Sequence, residues 1–424
     1  MQREFLGGQD AAWLHMESAM SPMVVDVLVE LEGELSRSSS SALLARLAQF
    51  PRFRERPVEA SLPGGRARWE ADSEFVLARH VDHVELDDAT DAALRAFVSR
   101  TVGEPLDLRY PGWHVYVIQR PGVGTAILFR VHHCMADGFA LLGLLAALED
   151  VPTEQVVRSH ASAGQPGLVG SAMTFARLAA MPNDPSTPLK APLSGEKQVA
   201  WTTPIELRAI KRDAHLLDAT VNDVLVAVLA GALGRYLSRR GLETRGLSIH
   251  AMVPVNLRTA QPPTRLGNQF GLFLLDLPLG IANPVTRIVT VKRMLDALKA
   301  SHEAVITNIA LKAMGRAPRS AERLAVEFFA RKASLVLTNV PGPVQRTSLA
   351  GVPISRISFW VPQAGRLGLG LSIFSYAGEV TVGIFSDAAL VPDSELLAHD
   401  IEVEFAVLDC AVRSSVERSA LSNA

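Results

Sequence analysis

The sequence predicts an α/β protein built as two sandwich halves lying side by side. Three observations point there. A chain of 424 residues is too long for one ordinary core. Its 48% hydrophobic and 20% charged residues describe a globular chain, not a disordered one. Segments that alternate at period two are mixed with segments of helical period on both sides of a stretch, Glu149 to Val199, where neither pattern holds and Pro, Ser, Gly and Thr accumulate. The expected organisation is a first half over 1–150, a crossover linker over 151–200 and a second half over 201–424.

Asp10 to Met23 leads into an apolar strand, Val24 to Leu31. Ser39 to Phe50 reads as a helix with Leu43, Leu44, Leu47 and Phe50 on one face. Arg66 to Glu70 and Val81 to Leu86 alternate as strands. Asp88 or Thr90 caps a helix running to about Val102. Trp113 to Ile118 and Thr125 to Val131 form a hairpin around Pro121-Gly122-Val123-Gly124, and Phe139 to Leu148 reads as a buried helix. In the second half, Pro204–Leu217 and Thr220–Leu237 read as helices and Ile249–Pro254 and Gln269–Leu277 as strands. One or two helices follow over Asn283–Ala313, then another over Pro318–Lys332. Leu335–Thr338, Ile357–Val361, Leu367–Tyr376 and Glu379–Ser386 are strands. A last helix spans Asp393 to about Val407, with a frayed polar tail from Arg413.

The totals exclude several functions. Net charge is −2, from 42 basic against 44 acidic residues, and no nucleic-acid motif is present, so no nucleic-acid partner is expected. Cys134 and Cys410 are the only cysteines, which excludes CxxC zinc sites and a disulfide framework and fits a reducing cytoplasm. The first residues have no signal-peptide core, and no run reaches the roughly 18 apolar residues of a membrane span, so membrane contact is expected to be peripheral. There is no GxSxG elbow and no P-loop. His302-Glu303 begins an HExxH pattern that fails at Ile306, and no metal is expected.

Catalytic residue types are dense in one place, Val131-His132-His133-Cys134-Met135-Ala136-Asp137-Gly138, between the second hairpin strand and the buried helix. A neutral imidazole can take and return a proton near pH 7. Adjacent residues on extended chain point in opposite directions, so the two imidazoles are poorly placed to share a metal. One core and one surface histidine followed by a helix cap would give the same residues. Cys134 reads as a small apolar filler.

With these motifs placed, the chain resembles the bacterial wax ester synthase/diacylglycerol acyltransferase family of the chloramphenicol acetyltransferase-like superfamily. His132 to Gly138 matches the superfamily's HHxxxDG. Pro22-Met23, Pro192–Trp201, Thr220–Val224 with its Asn-Asp pair, Val253–Arg258, Gly267-Asn268-Gln269, Thr338–Pro343, Ser375–Gly378 and Asp387 match further blocks, in order, over about Asp10 to Leu408. The resemblance implies two chloramphenicol acetyltransferase-like halves with mixed sheets and an active site in a tunnel between them. It implies transfer of a long-chain acyl group from acyl-CoA to diacylglycerol or to a long-chain alcohol. His133 would be the general base, with direct attack by the acceptor hydroxyl, no protein nucleophile and no cofactor beyond acyl-CoA as co-substrate. His132 would support it, and Asp137 would be a strut against Arg258. Gly138 would allow close helix approach. Asn222, beside Asp223, and Thr338 with Asn339 would bind substrate or support the site. The family commonly has Pro-Leu-Trp where this chain has Pro111-Gly112-Trp113, which bears on the acceptor.

Other readings stay open on the sequence. His132 and Asp137 also have the HxxxxD spacing of glycerol-phosphate acyltransferases, with His132 as base. A condensation-type or polyketide-linked acyltransferase would draw on a carrier-protein thioester. A lipid-surface protein with a decayed site would have no activity. Leu311 to Lys332 carries six basic and two acidic residues around Leu324, Phe328 and Phe329, which would suit an anionic membrane, coenzyme A phosphates or a solvated face. The expected location is the cytoplasm, with any contact at the inner membrane face or a lipid-droplet surface.

Overall fold

The computed structural model describes residues 4–60, 65–150, 168–258 and 266–422. Two mixed sheets carry the architecture. The first runs in the order Ser348–Leu349, Val352–Trp360, Val24–Leu31, Gly124–His132, Trp113–Arg120 and Val81–Glu85. Its pairs are antiparallel except the last, which is parallel. Gly124–His132 is buried along its whole length, as its near-continuous apolar sequence requires of a central strand. Its one strong charge, Arg130, faces Asp26 across the strand pair and donates to it at 2.9 Å, so neither is buried alone.

The second sheet runs Phe270–Pro278, Ser248–Asn256, Leu335–Pro341, Leu369–Tyr376, Glu379–Asp387 and Lys197–Trp201, with Ile205–Glu206 also pairing Glu379–Asp387. Its core packs on the helix Val221–Arg239. Thr220 and Asp223 start that helix with a reciprocal capping box. This is the one helix, among the described residues, long and apolar enough to cross a membrane, and its residues 223–234 are all buried inside the protein.

The two sheets interlock. Val352–Trp360 comes late in the chain yet pairs with Val24–Leu31, from Asp26 opposite Trp360 to Leu31 opposite Ile354. The sequence marks only Ile357–Val361 as a strand here and says nothing of which sheet it completes. Trp360 is fully buried, 5.6 Å from the Trp201 ring, and its indole N–H donates to the Ala200 carbonyl.

The structure also adds to the sequence reading. Within the stretch read as a linker, residues 151–167 lie outside the described residues. The remainder holds a helix, Leu168–Ala180, and the edge strand Lys197–Trp201. Asp387 orders the approach to that strand, accepting from Ser194 N at 2.9 Å, Ser194 Oγ at 2.8 Å and Gly195 N at 2.9 Å. Glu55–Val58 is a strand paired with Arg68–Ala71 that Pro57, within it, hides from a reading of the sequence. The last helix continues to Ser422, past the expected end near Val407, because polarity alone does not stop a helix and no Gly or Pro intervenes.

Candidate active site

His132 closes the strand Gly124–His132 opposite Val24, and the chain leaves the sheet at His133. The His133 N–H donates to the Met23 carbonyl at 2.7 Å, and the His133 carbonyl accepts from Asn268 Nδ2 at 2.7 Å. Both peptide groups are therefore fixed. The imidazole stacks on Trp13, with ring centroids 4.0 Å apart and planes 11° from parallel, and Phe270 flanks it at 6.2 Å. Nδ1 is buried and makes no well-formed hydrogen bond, although the residue's own carbonyl weakly favours the protonated ring. Burial pushes the pKa of His133 down to about 4, against a smaller opposing pull from the Asp137 charge. The ring is therefore neutral, and able to accept a proton, across the physiological range.

His132 faces the other way, into packed protein. Its Nε2–H donates to Glu17 at 2.6 Å, and its Nδ1 accepts from the Cys134 N–H at 3.1 Å. With both nitrogens engaged and no surface exposed, it holds the turn and has no free edge for substrate. Cys134 is fully buried, and burial raises its thiol pKa well above the usual value, which suits a packing residue.

Asp137 caps the helix Gly138–Leu148 through Oδ1, which accepts from Ala140 N at 3.0 Å. Its Oδ2 accepts from Arg258 Nη1 at 2.7 Å and from Gln269 N at 3.0 Å. Arg258 reaches on through Nη2 to the Gly267 carbonyl at 2.7 Å. The strut expected from the sequence is thus a node joining the motif to two segments of the second half.

His133, Asp137, Gly138, Asn256 and Thr338 line one cavity between the sheets, with Trp13 and Phe270. Its remaining wall is mostly apolar, including Met252, Leu272, Leu274, Leu311 and Phe329. Other expected residues lie elsewhere. Along Leu335–Pro341, alternation turns Thr338 and Val340 toward the cavity and Asn339 to the opposite face. There Asn339 Nδ2 donates to Asn222 Oδ1 at 2.9 Å, so neither amide lines the cavity. Asp223 is fully buried in its capping box, where its Oδ2 accepts from Thr220 N at 2.8 Å. Gly138 is not forced by close approach, since a Cβ there would meet only Val340 Cγ2, at an ordinary 3.5 Å. Gly112 sits behind the motif, where an added Cβ would come within 3.0 Å of Leu108 and 3.1 Å of His132. It is not part of the cavity wall, so its bearing on the acceptor is not through direct contact there.

Trp13, Glu17 and Asn268 escape the sequence reading as site residues. Asn268 has a signal in the Gly267-Asn268-Gln269 block, and its amide bridges Asp10 Oδ1, at 2.8 Å, to the His133 carbonyl. No group of three or more His, Cys, Asp or Glu with metal-site geometry occurs among the described residues.

Residues 6–169 match the family model of the wax ester synthase/diacylglycerol acyltransferase catalytic domain, and residues 266–409 match that of the C-terminal domain of the same enzymes. A Mycobacterium tuberculosis protein described as a "probable diacylglycerol O-acyltransferase" is 27% identical over 418 residues, covering 90% of each chain. The solved wax ester synthase/diacylglycerol acyltransferase of Marinobacter aquaeolei superposes with a TM-score of 0.72 at 20% identity, covering 96% of this chain and 99% of that one. The starter condensation domain of rhizomide synthetase shares the fold, with a TM-score of 0.63 at 13% identity, covering 97% of this chain and 94% of that one.

The depressed pKa of His133 has a consequence for stability. An imidazole in the unfolded chain titrates near ~6.5, whereas in the fold it titrates at about 4. Between those values the unfolded chain binds the extra proton. Stability is therefore lost as pH falls from about 6.5 toward 4, and no further below. His133→Gln, which cannot titrate, is expected to show a smaller drop in Tm between pH 7 and pH 5 than the parent. Equal drops would contradict the burial of a neutral imidazole.

Proposed function

This chain belongs to the wax ester synthase/diacylglycerol acyltransferase family, and we propose that it moves a long acyl group from acyl-CoA to diacylglycerol, a long-chain alcohol or both, with His133 as general base. The observation that carries this reading is the neutral imidazole of His133, stacked on Trp13 at the wall of an apolar cavity. The acceptor hydroxyl gives its proton to His133 while its oxygen attacks the thioester carbon. The tetrahedral intermediate then collapses, the C–S bond breaks, and His133 returns the proton to the departing thiolate. No protein nucleophile and no cofactor is needed. The low intrinsic basicity of a buried imidazole is offset at the transition state, where the developing imidazolium lies within the field of Asp137.

His132 is the supporting residue in this reading. Its engagement at both nitrogens favours His133 over the HxxxxD assignment. Arg258, Asp137 and Asn268 position the base, Thr338 lines the substrate path, and Asn222, Asn339 and Asp223 support the second sheet beside it.

We further infer that the protein works peripherally at a lipid surface facing the cytoplasm, such as the inner membrane face or a lipid droplet. The helices Leu168–Ala180, Glu303–Met314 and Arg319–Arg331 pack on one another, and each contributes to the cavity wall. Their outer faces leave Met173, Ile309, Leu324 and Phe328 exposed, with Arg316, Arg319 and Arg323 exposed nearby. Apolar side chains among cations favour an anionic interface over plain solvent.

The first test is thiol release from palmitoyl-CoA, with hexadecanol and with a diacylglycerol as separate acceptors. His133→Ala is expected to lose roughly 10² to 10⁴ in kcat, and His132→Ala less, with a lowered Tm. Loss confined to His132→Ala would overturn the assignment, and wild-type inactivity with both acceptors would overturn the function. For the lipid surface, flotation with phosphatidylglycerol vesicles is expected to fall in a Leu324→Asp, Phe328→Asp double variant. Unchanged flotation would contradict that placement.

A further inference from the structure

Asn256 ends the strand Ser248–Asn256 and is 3% exposed. Its Oδ1 accepts from the backbone N–H of Arg258 at 3.1 Å, which settles which end of the amide is which. The other end, Nδ2, is buried without a hydrogen-bond partner. A buried donor with nothing to donate to is costly, and few persist without a reason. The surroundings offer one. Asn256 lines the same cavity as His133 and pairs across the strands with Phe270, whose ring flanks the His133 imidazole. Two other polar side chains of that wall are already committed. Thr307 is bonded to Leu272, and both oxygens of Asp137 are engaged.

We propose that the Asn256 amide N–H donates to the thioester carbonyl oxygen as it becomes an oxyanion. This rests on the acyl-transfer reading and adds to it a residue for the charge that His133 does not handle. As the acceptor oxygen bonds to the carbonyl carbon, the C=O π pair moves onto oxygen, where Nδ2 meets it, and the acceptor proton passes to His133. When the C=O bond re-forms, the C–S bond breaks and the sulfur takes the proton from His133. Arg258 ties the two together. Its backbone N–H orients the amide, and its guanidinium holds Asp137, four residues after the base. A donor fixed in advance and left unpaired in the resting site suits charge that exists only in the transition state.

The test compares Asn256→Ala and the near-isosteric Asn256→Asp with wild type, using palmitoyl-CoA and whichever acceptor the wild type uses. Asp keeps an acceptor for the Arg258 N–H but removes the donor. Both variants are expected to lose roughly 100- to 1,000-fold in kcat. The KM for palmitoyl-CoA is expected to change little, and the Tm of Asn256→Ala should stay within a few degrees of wild type. Recovery of activity in Asn256→Asp would mean that the residue only orients Arg258, and would overturn the inference, as would wild-type kcat in Asn256→Ala. Wild-type protein that releases no thiol would overturn the acyl-transfer reading itself, an outcome distinct from loss confined to the variants.

Discussion

The buried pair of Asp137 and Arg258 is the interaction on which the site depends. Both are less than a tenth exposed, so each charge is tolerable only because the other is there. Asp137 closes the start of a helix with one oxygen and uses the other to receive Arg258 and the Gln269 backbone. Arg258 spans to the Gly267 carbonyl with its second terminal nitrogen. Three backbone segments, one in the first sequence half and two in the second, are thereby set relative to one another at the point where the cavity meets the base. Removing one partner strands a buried charge, a loss on the order of 3–5 kcal/mol.

Around that node, placement does more than charge. His133 makes few polar contacts through its ring and is held by its backbone, whose N–H donates to Met23 and whose carbonyl accepts from Asn268. Trp13 then sets the ring plane. The outcome is a base held in orientation by stacking and kept neutral by burial. Its neighbour His132, with the same side chain, is bonded at both ends and serves the turn. The difference between the two follows from the strand alternation that sends successive side chains to opposite faces.

Much of this was legible in the sequence because the motif and the arginine block are local and their order is informative. The hairpin strand, the buried helix and the contact between Asp137 and Arg258 all appear where those blocks imply. Trp13 and Glu17 were not legible as partners of the motif, because they act from more than a hundred residues away and belong to no pattern of their own. Asn339 was left between substrate binding and support although a signal to choose existed: alternation along Leu335–Pro341 separates it from Thr338. The strand Val352–Trp360 was readable only over its later part, as Ile357–Val361, and its crossing to the first sheet is a tertiary choice that no local pattern records.

A double-mutant cycle between Asp137 and Arg258, read out as kcat, tests most directly whether the base depends on this pair. If the pair acts as one device, Asp137→Ala, Arg258→Ala and the double variant should lose similar activity, leaving a coupling on the order of 1–3 kcal/mol. Losses that simply add in the double variant would show that the two residues act separately, and would contradict the dependence of the site on their contact.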